Sequence, residues 1–461
     1  MKKYTNIISS PNMKLAAVRD LKKNPEYEYN SVVIPEDFKS YGANKKYFIR
    51  TYGCQGNLRD SEVIAGILRE LGYTQTDSVD NADIIILNTC CVRENAEKKV
   101  FGEIGTLKSL KQKNPGLLIG VCGCMVQQEH IVDTLLSKYQ QVDLIFGTHN
   151  IHQLPSLIKD AVLANERVCS VLSNQGDIQE DLPSCRESTY KAWVNIMYGC
   201  NKFCTYCIVP YTRGKERSRK SIDILNEIKQ LKEMGYKEVT LLGQNVNAYG
   251  KDINDLSFAQ LMEQVALIGI DRIRFTTSHP WDFSDELIDV IAKYPNIMIE
   301  GCSGGGGRFD PAMLYYTPQI WTSDDTDAIE RLFIQYGTSI VYPPTSMVGH
   351  VSVTPNHQTG RITPFKTRGI VAMSANFGYE LNPQILSESE REMVKKQTKE
   401  YASLRKVIYD SDFYRLRSPF NGNDCAWSFV RKNKKEVYVM YVRILNAATN
   451  EFDYLLLTNV F

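Results

Sequence analysis

Three cysteines close together in the sequence have a spacing that suits iron–sulfur chemistry. Cys200, Cys204 and Cys207 form the pattern CxxxCxxC in the segment CNKFCTYC. Three thiolates at this spacing can hold three irons of a [4Fe–4S] cluster when the backbone wraps tightly around them. The fourth iron is then open to a chelating group, such as the amino and carboxylate groups of S-adenosylmethionine. One electron from such a cluster can split the sulfonium and release a carbon radical, which no side chain does alone.

The alternative for this motif is a zinc site. Structural zinc usually takes four ligands arranged in pairs such as C-x₂-C, and no fourth cysteine or histidine lies nearby in the sequence. Phe203, within the motif, is expected to shield a cluster from solvent, which affects the cluster's potential. The residues therefore favour an iron–sulfur cluster over zinc.

Further cysteines stand at the ends of strand-like apolar runs in the preceding part of the chain. YFIRTYGC, ADIIILNTC and LLIGVCGC end at Cys54, Cys90 and Cys124. Helical patterns separate these runs, and strands alternating with helices predict a parallel sheet. Ligands of such sheets gather at the carboxyl ends of the strands. We therefore expect these three thiols to lie close together.

The bulk composition limits the class of protein. The chain has 461 residues, 43% of them hydrophobic, and a formal net charge of +1. This balance gives no global electrostatic argument for nucleic acid, so such a partner would need a local basic patch. The start, MKKYTNIISS, lacks the apolar region of a signal peptide, and no run approaches the roughly 18 apolar residues of a membrane span. We predict a cytoplasmic protein with reduced thiols.

The pattern of elements predicts an α/β fold with several parts. Residues 1–46 are polar and are expected to be an extension with little fold of their own. Residues 47–165 carry the first strand–helix series and predict a parallel-sheet domain, and 166–189 read as a linker. A second series over 190–297 repeats βα units of roughly 35–40 residues, which predicts a (β/α) barrel or part of one.

The character of the sequence changes near residue 298. Glycine and aromatic residues become more frequent, and SESEREMVKKQTKEYASLRKVIYD predicts one long helix. The end of the chain alternates like antiparallel strands, with turns expected at Lys432–Lys435 and Asn446–Asn450.

The segment NIMYGCNKFCTYCIVPYTRGKERSR resembles the radical S-adenosylmethionine core of the methylthiotransferase family. TYGCQ, LNTCCVRENA and GVCGCM resemble that family's three N-terminal cluster cysteines, and VFGEIG, IFGTHNIHQLP, YKEVTLLGQNVNAYGKD and RIRFTTSHP continue the match. The similarity covers about residues 40–297 and is strongest to the MiaB type. Those enzymes add a methylthio group to carbon 2 of N6-isopentenyladenosine beside the anticodon of certain tRNAs.

The resemblance implies two [4Fe–4S] clusters, S-adenosylmethionine, a tRNA substrate and an electron donor such as flavodoxin or ferredoxin. It implies an auxiliary cluster on Cys54, Cys90 and Cys124, which supplies or carries the sulfur, and a cluster that binds S-adenosylmethionine on Cys200, Cys204 and Cys207. Cys91 stands where the family commonly has an apolar residue. Gly56 and Leu58 also depart from the family pattern, without removing a ligand.

Two further sets of residues are candidates for binding. A basic run just after the second triad could contact tRNA phosphates, because such contacts act by releasing counterions; the alternative is a solvated helix start. Its members are Arg213, Lys215, Arg217, Arg219 and Lys220. Gly243, Gln244 and Asn245 end a predicted strand and are candidates for cofactor or substrate contact, with a simple turn as the alternative. His279 ends the next strand and is expected to be a capped core histidine.

The sequence after residue 298 resembles a different family. IEGCSGGGGRFDPAMLYYTPQIWTSDDTDAIERL, QYGTSIVYPPTSM, VTPNHQTGRITPFKTRG and FGYELN are similar to the late catalytic barrel of family 36 glycoside hydrolases, the α-galactosidases. The resemblance implies the last strands of a glycosidase barrel over 298–410 and a truncated antiparallel β domain, part of a sandwich, over 411–461. It also implies Asp324 as general acid/base and a galactose pocket lined by Cys302 and Gly304.

Three hypotheses of different classes follow. The chain is a methylthiotransferase with a replaced C-terminal third, or an α-galactosidase fragment with a foreign N-terminus, or a chimeric join that performs neither reaction well. Glycoside hydrolysis needs two carboxylates, and the family's Lys-Trp-Asp nucleophile motif is absent; Pro280-Trp281-Asp282 is the nearest string. The methylthiotransferase hypothesis is favoured because both cysteine triads are present.

Overall fold

The chain forms two compact units, Met1–Tyr294 and Pro295–Phe461. The structure is a computed structural model that describes residues 5–17, 26–91, 94–173, 177–294, 299–301, 311–446 and 454–457. Among these residues, no helix combines the length and the apolar character needed to cross a membrane. Each unit has its own hydrophobic core and is considered separately.

The N-terminal part of the first unit is built on a seven-stranded parallel sheet. Its strand order is β1-β8-β7-β6-β5-β3-β4, and β2 pairs with β9 separately. The strands are β1 (Thr5–Ser9), β2 (Tyr27–Tyr29), β3 (Lys46–Tyr52), β4 (Thr74–Gln75), β5 (Ile84–Thr89), β6 (Leu118–Gly123), β7 (Leu144–Phe146), β8 (Arg167–Ser170) and β9 (Ile178–Glu180). The helices are α1 (Met13–Ala17), α2 (Gln55–Glu70), α3 (Glu94–Lys113), α4 (Glu129–Lys138) and α5 (Leu154–Leu163).

Both faces of this sheet are covered by apolar side chains. One core packs around α2 and α5, and includes Ile67, Leu68 and Ile158. The other packs around α3 and α4, and includes Val100 and Leu135. Burial on both faces explains why the central strands β5 and β6 are almost continuously apolar in sequence.

The expectation for residues 1–46 is wrong for the part that the structure describes. β1 pairs in parallel with β8 and forms one edge of the sheet, while β2 pairs with β9. β1 gave no strand pattern because it lies at an edge, where Ile7 and Ile8 remain about half exposed. Residues 166–189 are likewise not a free linker, because they contain the strands β8 and β9.

The rest of this segment crosses α2 closely. The Cys185 amide donates to the Glu62 carbonyl at 2.8 Å. Gly66 makes this approach possible, because a Cβ there would lie 2.4 Å from the backbone of Pro183. The segment is therefore held against the sheet domain rather than spanning open solvent.

The second part of the first unit has a three-stranded parallel sheet, β10-β13-β14. The elements here are β10 (Lys191–Asn195), β11 (Met197–Tyr198), β12 (Arg217–Ser218), β13 (Glu238–Leu242), β14 (Arg272–Phe275), α6 (Val209–Thr212), α7 (Ser221–Glu233), α8 (Phe258–Ile268) and α9 (Asp285–Ala292). The predicted alternation of parallel strands and helices is confirmed. The described strands form an open sheet in which β14 is an edge.

The second unit combines short parallel pairs with an antiparallel sheet. β15 pairs with β16 and β17 with β18, both in parallel, whereas β19, β20 and β21 are antiparallel. Its elements are β15 (Glu300–Gly301), β16 (Gln319–Ile320), β17 (Val348–Ser352), β18 (Asn376–Glu380), β19 (Ser411–Arg417), β20 (Asp424–Arg431), β21 (Val437–Arg443), α10 (Pro311–Tyr316), α11 (Ala328–Thr338), α12 (Phe365–Met373) and α13 (Glu388–Tyr409).

The C-terminal alternation and the long helix thus have their counterparts in β20, β21 and α13. The turn expected at Lys432–Lys435 joins β20 to β21. Most of the other expected turn, at Asn446–Asn450, lies outside the described residues.

The close crossing at Gly66 yields a stability test. Gly66→Ala should lower the free energy of unfolding by about 1–3 kcal/mol, because the added methyl overpacks against Pro183. Gly102→Ala in α3 is the matched control: a Cβ at Gly102 meets nothing within 4 Å, so alanine should add about 0.5–1 kcal/mol. Urea unfolding of both variants measures the difference. Equal effects of the two substitutions would contradict the close crossing.

Candidate iron–sulfur site

Loops at one edge of the parallel sheet bring the upstream cysteines together. Cys54 follows β3, Cys90 follows β5 and Cys124 follows β6, and these strands are neighbours in the sheet. The Cys90 thiol is hydrogen-bonded to Cys54, and Cys91 is hydrogen-bonded to Cys124. The proximity expected from the strand ends is therefore present in the structure.

These contacts shift the acidity of the thiols. The hydrogen bond from Cys90, followed in importance by the positive charge of Arg213, lowers the pKa of Cys54 to about 5. The hydrogen bond from Cys91, again helped by Arg213, lowers the pKa of Cys124 to about 7. Two of the three predicted ligands thus favour the thiolate, which is the form that binds metal.

Arg213 connects the two parts of the first unit at this site. Its Nε donates to Cys124 Sγ at 3.0 Å, and its Nη2 lies 2.6 Å from Asp60 Oδ2 in α2. Arg213 and Asp60 are both buried. Gly56 lies close to Arg213: a Cβ at Gly56 would lie 3.9 Å from Arg213 Nη2, 3.6 Å from Cys54 Sγ and 4.0 Å from Gln244 Nε2. Arg213 and Gln244, two residues close to the second cysteine motif, thus lie beside the loops that carry the upstream thiols.

The structure differs from both interpretations of the basic run. Arg219 is buried and pairs with Glu180 at 2.6 Å and Glu227 at 2.7 Å, and Arg217 is buried with its guanidinium over the Tyr198 ring. These side chains and Arg213 form neither a solvated helix start nor an open phosphate-binding face. Asp60 matches the charge of Arg213, and Glu180 and Glu227 match that of Arg219, as burial of these charges requires. Lys215 is half-buried and Lys220 is half-buried at the start of α7.

The second triad lies on a tightly folded loop after β11. The Cys200 amide donates to the Gly214 carbonyl at 3.0 Å, and the Cys207 amide to the Cys204 carbonyl at 2.8 Å. Gly199 has φ +75°, and a Cβ there would lie 2.0 Å from the Lys215 carbonyl oxygen, so only glycine fits. This wrapping is what a CxxxCxxC motif needs to direct its thiols to one region.

Burial and nearby negative groups act on the second triad. Burial is the main cause that raises the pKa of Cys200 to about 11, and Cys207 and Cys204 contribute. His279 Nε2 lies 3.7 Å from Cys204 Sγ, so this half-buried histidine borders the triad and is not a core residue. Tyr206 is 87% exposed. Phe203 is 41% exposed and packs edge-on against Tyr211.

Gly243, Gln244 and Asn245 lie beside this loop. Gln244 Oε1 accepts a hydrogen bond from the Gly199 amide at 2.5 Å. Asn245 is fully buried and donates to Glu216 at 3.1 Å and to Asp282 at 2.7 Å. A Cβ at Gly243 would lie 2.7 Å from Met197 Cγ. In this structure the three residues brace the cysteine loop, while their cofactor contact stays a prediction.

Sequence reasoning missed several polar residues of this site. The sequence indicated no role at this site for Asp60 or Glu216. Asp282, considered only as a stray carboxylate, is buried and held by Lys202 at 2.7 Å and Lys251 at 2.6 Å. The two lysines hold this buried carboxylate in place.

The donor set of each triad fits an iron–sulfur cluster. Thiolates are the ligands that such clusters take. No three ligating side chains converge on a single metal-ion position in the part of the chain that the structure describes. This is compatible with a cluster, because each thiolate of a cluster binds a different iron and the ligands surround a volume.

The residues assigned through the glycosidase resemblance lie in the second unit. Asp324 is exposed, and its carbonyl oxygen accepts from Gln358 at 2.6 Å. The buried carboxylate nearby is Asp327, which caps α11 and pairs with Arg361 at 2.5 Å. Cys302 and Gly304 lie outside the described residues.

Three protein-family models match parts of the chain. Residues 194–301 match the radical SAM superfamily, and 46–147 match the uncharacterized protein family UPF0004. Residues 282–410 match the melibiase family. Both resemblances expected from the sequence are confirmed. The radical SAM and melibiase matches overlap at 282–301, which includes the expected seam at residue 298.

Curated relatives match the N-terminal part of the chain. A tRNA-2-methylthio-N(6)-dimethylallyladenosine synthase of Geobacillus thermodenitrificans is 56% identical over 299 residues, which are 64% of this chain and 57% of the relative. The synthase of the same name from Bacillus mycoides is also 56% identical over 299 residues, with 58% of its length covered. The chain thus spans less than two thirds of the curated relatives it matches.

A solved structure similar to this chain is a family 36 α-galactosidase of Geobacillus stearothermophilus. It is 39% identical, with 52% of this chain and 32% of the other covered, at a TM-score of 0.38.

The lowered pKa of Cys54 predicts its reactivity in the cluster-free protein. Cys54 is exposed, so iodoacetamide should alkylate it at a nearly constant rate between about pH 6 and 8. The alkylation rate of an ordinary thiol, with a pKa of about 8.5, falls roughly tenfold for each unit by which the pH is lowered. Cys122 is the control, because its burial raises its pKa and it should stay unmodified. Peptide mass spectrometry under anaerobic conditions measures both. A rate at Cys54 that falls tenfold per unit would contradict the contact with Cys90.

Proposed function

We propose that this chain is a radical SAM methylthiotransferase that adds a methylthio group to carbon 2 of N6-isopentenyladenosine beside the anticodon of tRNA. The observation that carries the proposal is the hydrogen bond from Arg213, which follows the second cysteine motif in the sequence, to Cys124 Sγ of the first triad. Support also comes from the 56% identity to synthases named for this product. We place the reaction in the cytoplasm because its proposed substrate is tRNA.

The proposal assigns a role to each set of thiols. Cys200, Cys204 and Cys207 would hold the cluster that binds S-adenosylmethionine, and Cys54, Cys90 and Cys124 would hold the auxiliary cluster. When bound, these groups supply the radical and the sulfur. The protein's own contribution is positional: Gln244 fixes the turn at Gly199, and Arg213 fixes the loop end against Cys124.

The tRNA and the electron donor are the partners that this function requires. The donor would be a small electron carrier such as flavodoxin or ferredoxin. Since Arg213, Arg217 and Arg219 have internal contacts, tRNA contact by the basic run would fall to Lys215 and Lys220. Both are half-buried cations that can neutralise phosphate.

Iron content tests the two assignments separately. Anaerobic reconstitution should give about eight irons per chain, since each cube holds four, and Cys200→Ala should leave about four. Cys54→Ala should remove the other half. Cys122→Ala is the control, since Cys122 is assigned to neither cluster, and it should keep the full complement. Iron and sulfide analysis with absorption spectra measures the result. Binding of no stable iron would overturn the proposal.

Transfer to substrate completes this test. The reconstituted chain, supplied with S-adenosylmethionine, a reductant and tRNA carrying the isopentenyl group, should yield the methylthiolated nucleoside by mass spectrometry of digested tRNA. tRNA that lacks the isopentenyl group is the matched substrate control. Full iron loading without product would locate the defect after cluster assembly, in the replaced C-terminal third.

The melibiase match over 282–410 makes glycoside hydrolysis a second function to be tested. Hydrolysis through a covalent intermediate needs a nucleophilic carboxylate as well as an acid/base, and Asp282 is held by lysines. We expect no release of chromophore from a nitrophenyl α-galactoside, either by the parent chain or by Asp324→Asn. Hydrolysis by the parent that is lost in Asp324→Asn would favour the glycosidase function.

The chimeric hypothesis concerns the gene, and a direct observation decides it. The two family matches overlap at 282–301, which supports a join in this stretch. Independent DNA reads that run unbroken across codons 290–305 would show that one gene encodes both parts. Reads that diverge there would show that the two parts come from separate genes.

A further inference from the structure

The position of Arg213 has a consequence for electron transfer. It follows the second cysteine motif in sequence, yet its guanidinium lies against a thiol of the first triad. We infer that Arg213 is a positioning residue that donates a hydrogen bond to the Cys124 sulfur and raises the reduction potential of the cluster bound there. The inference rests on the proposed function, since it requires a cluster on Cys54, Cys90 and Cys124.

Arg213 is held by hydrogen bonds at its backbone and at the end of its side chain, so the direction of its guanidinium is fixed. The Arg213 amide donates to the Val209 carbonyl at 2.8 Å, which closes α6. Beyond the side chain, Asp60 Oδ2 accepts from Nη2 at 2.6 Å. Between these anchors Nε lies 3.0 Å from Cys124 Sγ. Arg213 is 7% exposed, so water does not compete for the donor.

A fixed donor at a ligand sulfur favours the reduced cluster. Reduction adds negative charge to the cluster and its thiolates, and a hydrogen bond to sulfur stabilises that charge. Hydrogen bonds to the sulfurs are one of the factors that set the potential of such clusters. Arginine stays protonated at any working pH and presents a rigid planar fork. Because Asp60 offsets much of the net charge, the oriented N–H is the main contribution.

The same segment provides a matched control. Arg219 is also buried and paired with acids, namely Glu180 and Glu227. Its guanidinium donates to oxygen atoms of these two acids and of the Asn195 carbonyl. Loss of Arg219 should therefore cost stability as loss of Arg213 does. It should leave the auxiliary cluster's potential unchanged.

The experiment isolates one cluster. In the full-length chain, Cys200→Ala, Cys204→Ala and Cys207→Ala together remove the second triad, so that reconstitution fills only the auxiliary site. Redox titration followed by electron paramagnetic resonance then gives its midpoint potential. Arg213→Gln should shift the midpoint to a more negative value, Arg213→Lys should shift it less, and Arg219→Gln should keep the parental value. Iron analysis confirms about four irons in each sample.

The outcomes separate this inference from the proposed function. A parent without a cluster on Cys54, Cys90 and Cys124 overturns both. A loaded Arg213→Gln variant at the parental potential overturns only the inference, as does an equal shift in Arg219→Gln. If Arg213→Gln fails to fold or to hold iron, Arg213→Lys decides, because it keeps the cation: a negative shift supports the inference and a parental potential overturns it.

Discussion

Buried pairing between arginines and acids is the constraint on which the first unit depends. Glu227 in α7 lies 2.6 Å from Arg186, 2.7 Å from Arg219 and 3.7 Å from Arg59 in α2. These arginines lower the pKa of Glu227 to about 2, despite burial. Removing one member of such a set leaves an uncompensated buried charge, which costs several kcal/mol. The network therefore fixes α2 against α7, and with them the two cysteine loops.

The location of the cysteines was predictable because it follows from a general property of parallel sheets. The apolar runs that end in Cys54, Cys90 and Cys124 indicate strands, and the carboxyl ends of parallel strands meet at one edge of the sheet. The partners of Arg213 were not predictable, because Asp60 precedes it by 153 positions. From the sequence alone, a cation within a basic run is expected to be exposed to solvent. Only the three-dimensional structure shows that carboxylates from other elements surround it.

Strand prediction failed where burial was incomplete. β1 is short and exposed, so it shows no alternation, and its parallel register with β8 joins residues about 160 positions apart. The part of the chain that matches the melibiase family shows the opposite case. Its long helix α13 begins with a capping box at Ser387 and Glu390, which is a local signal that sequence displays directly. Local signals and the shared edge of the buried strands were predictable, whereas the pairing of the exposed strand β1 with β8 was not.

The edge of the three-stranded sheet bears on self-association of the chain. An edge strand offers its backbone groups to any second strand, and proteins guard such edges with charge. On β14, Arg272 and Arg274 are exposed and both lie 3.2 Å from Glu238. Two like-charged arginines on this strand would meet the same two arginines of another copy in edge-to-edge pairing. The exposed arginines of β14 thus disfavour pairing of two copies along this edge.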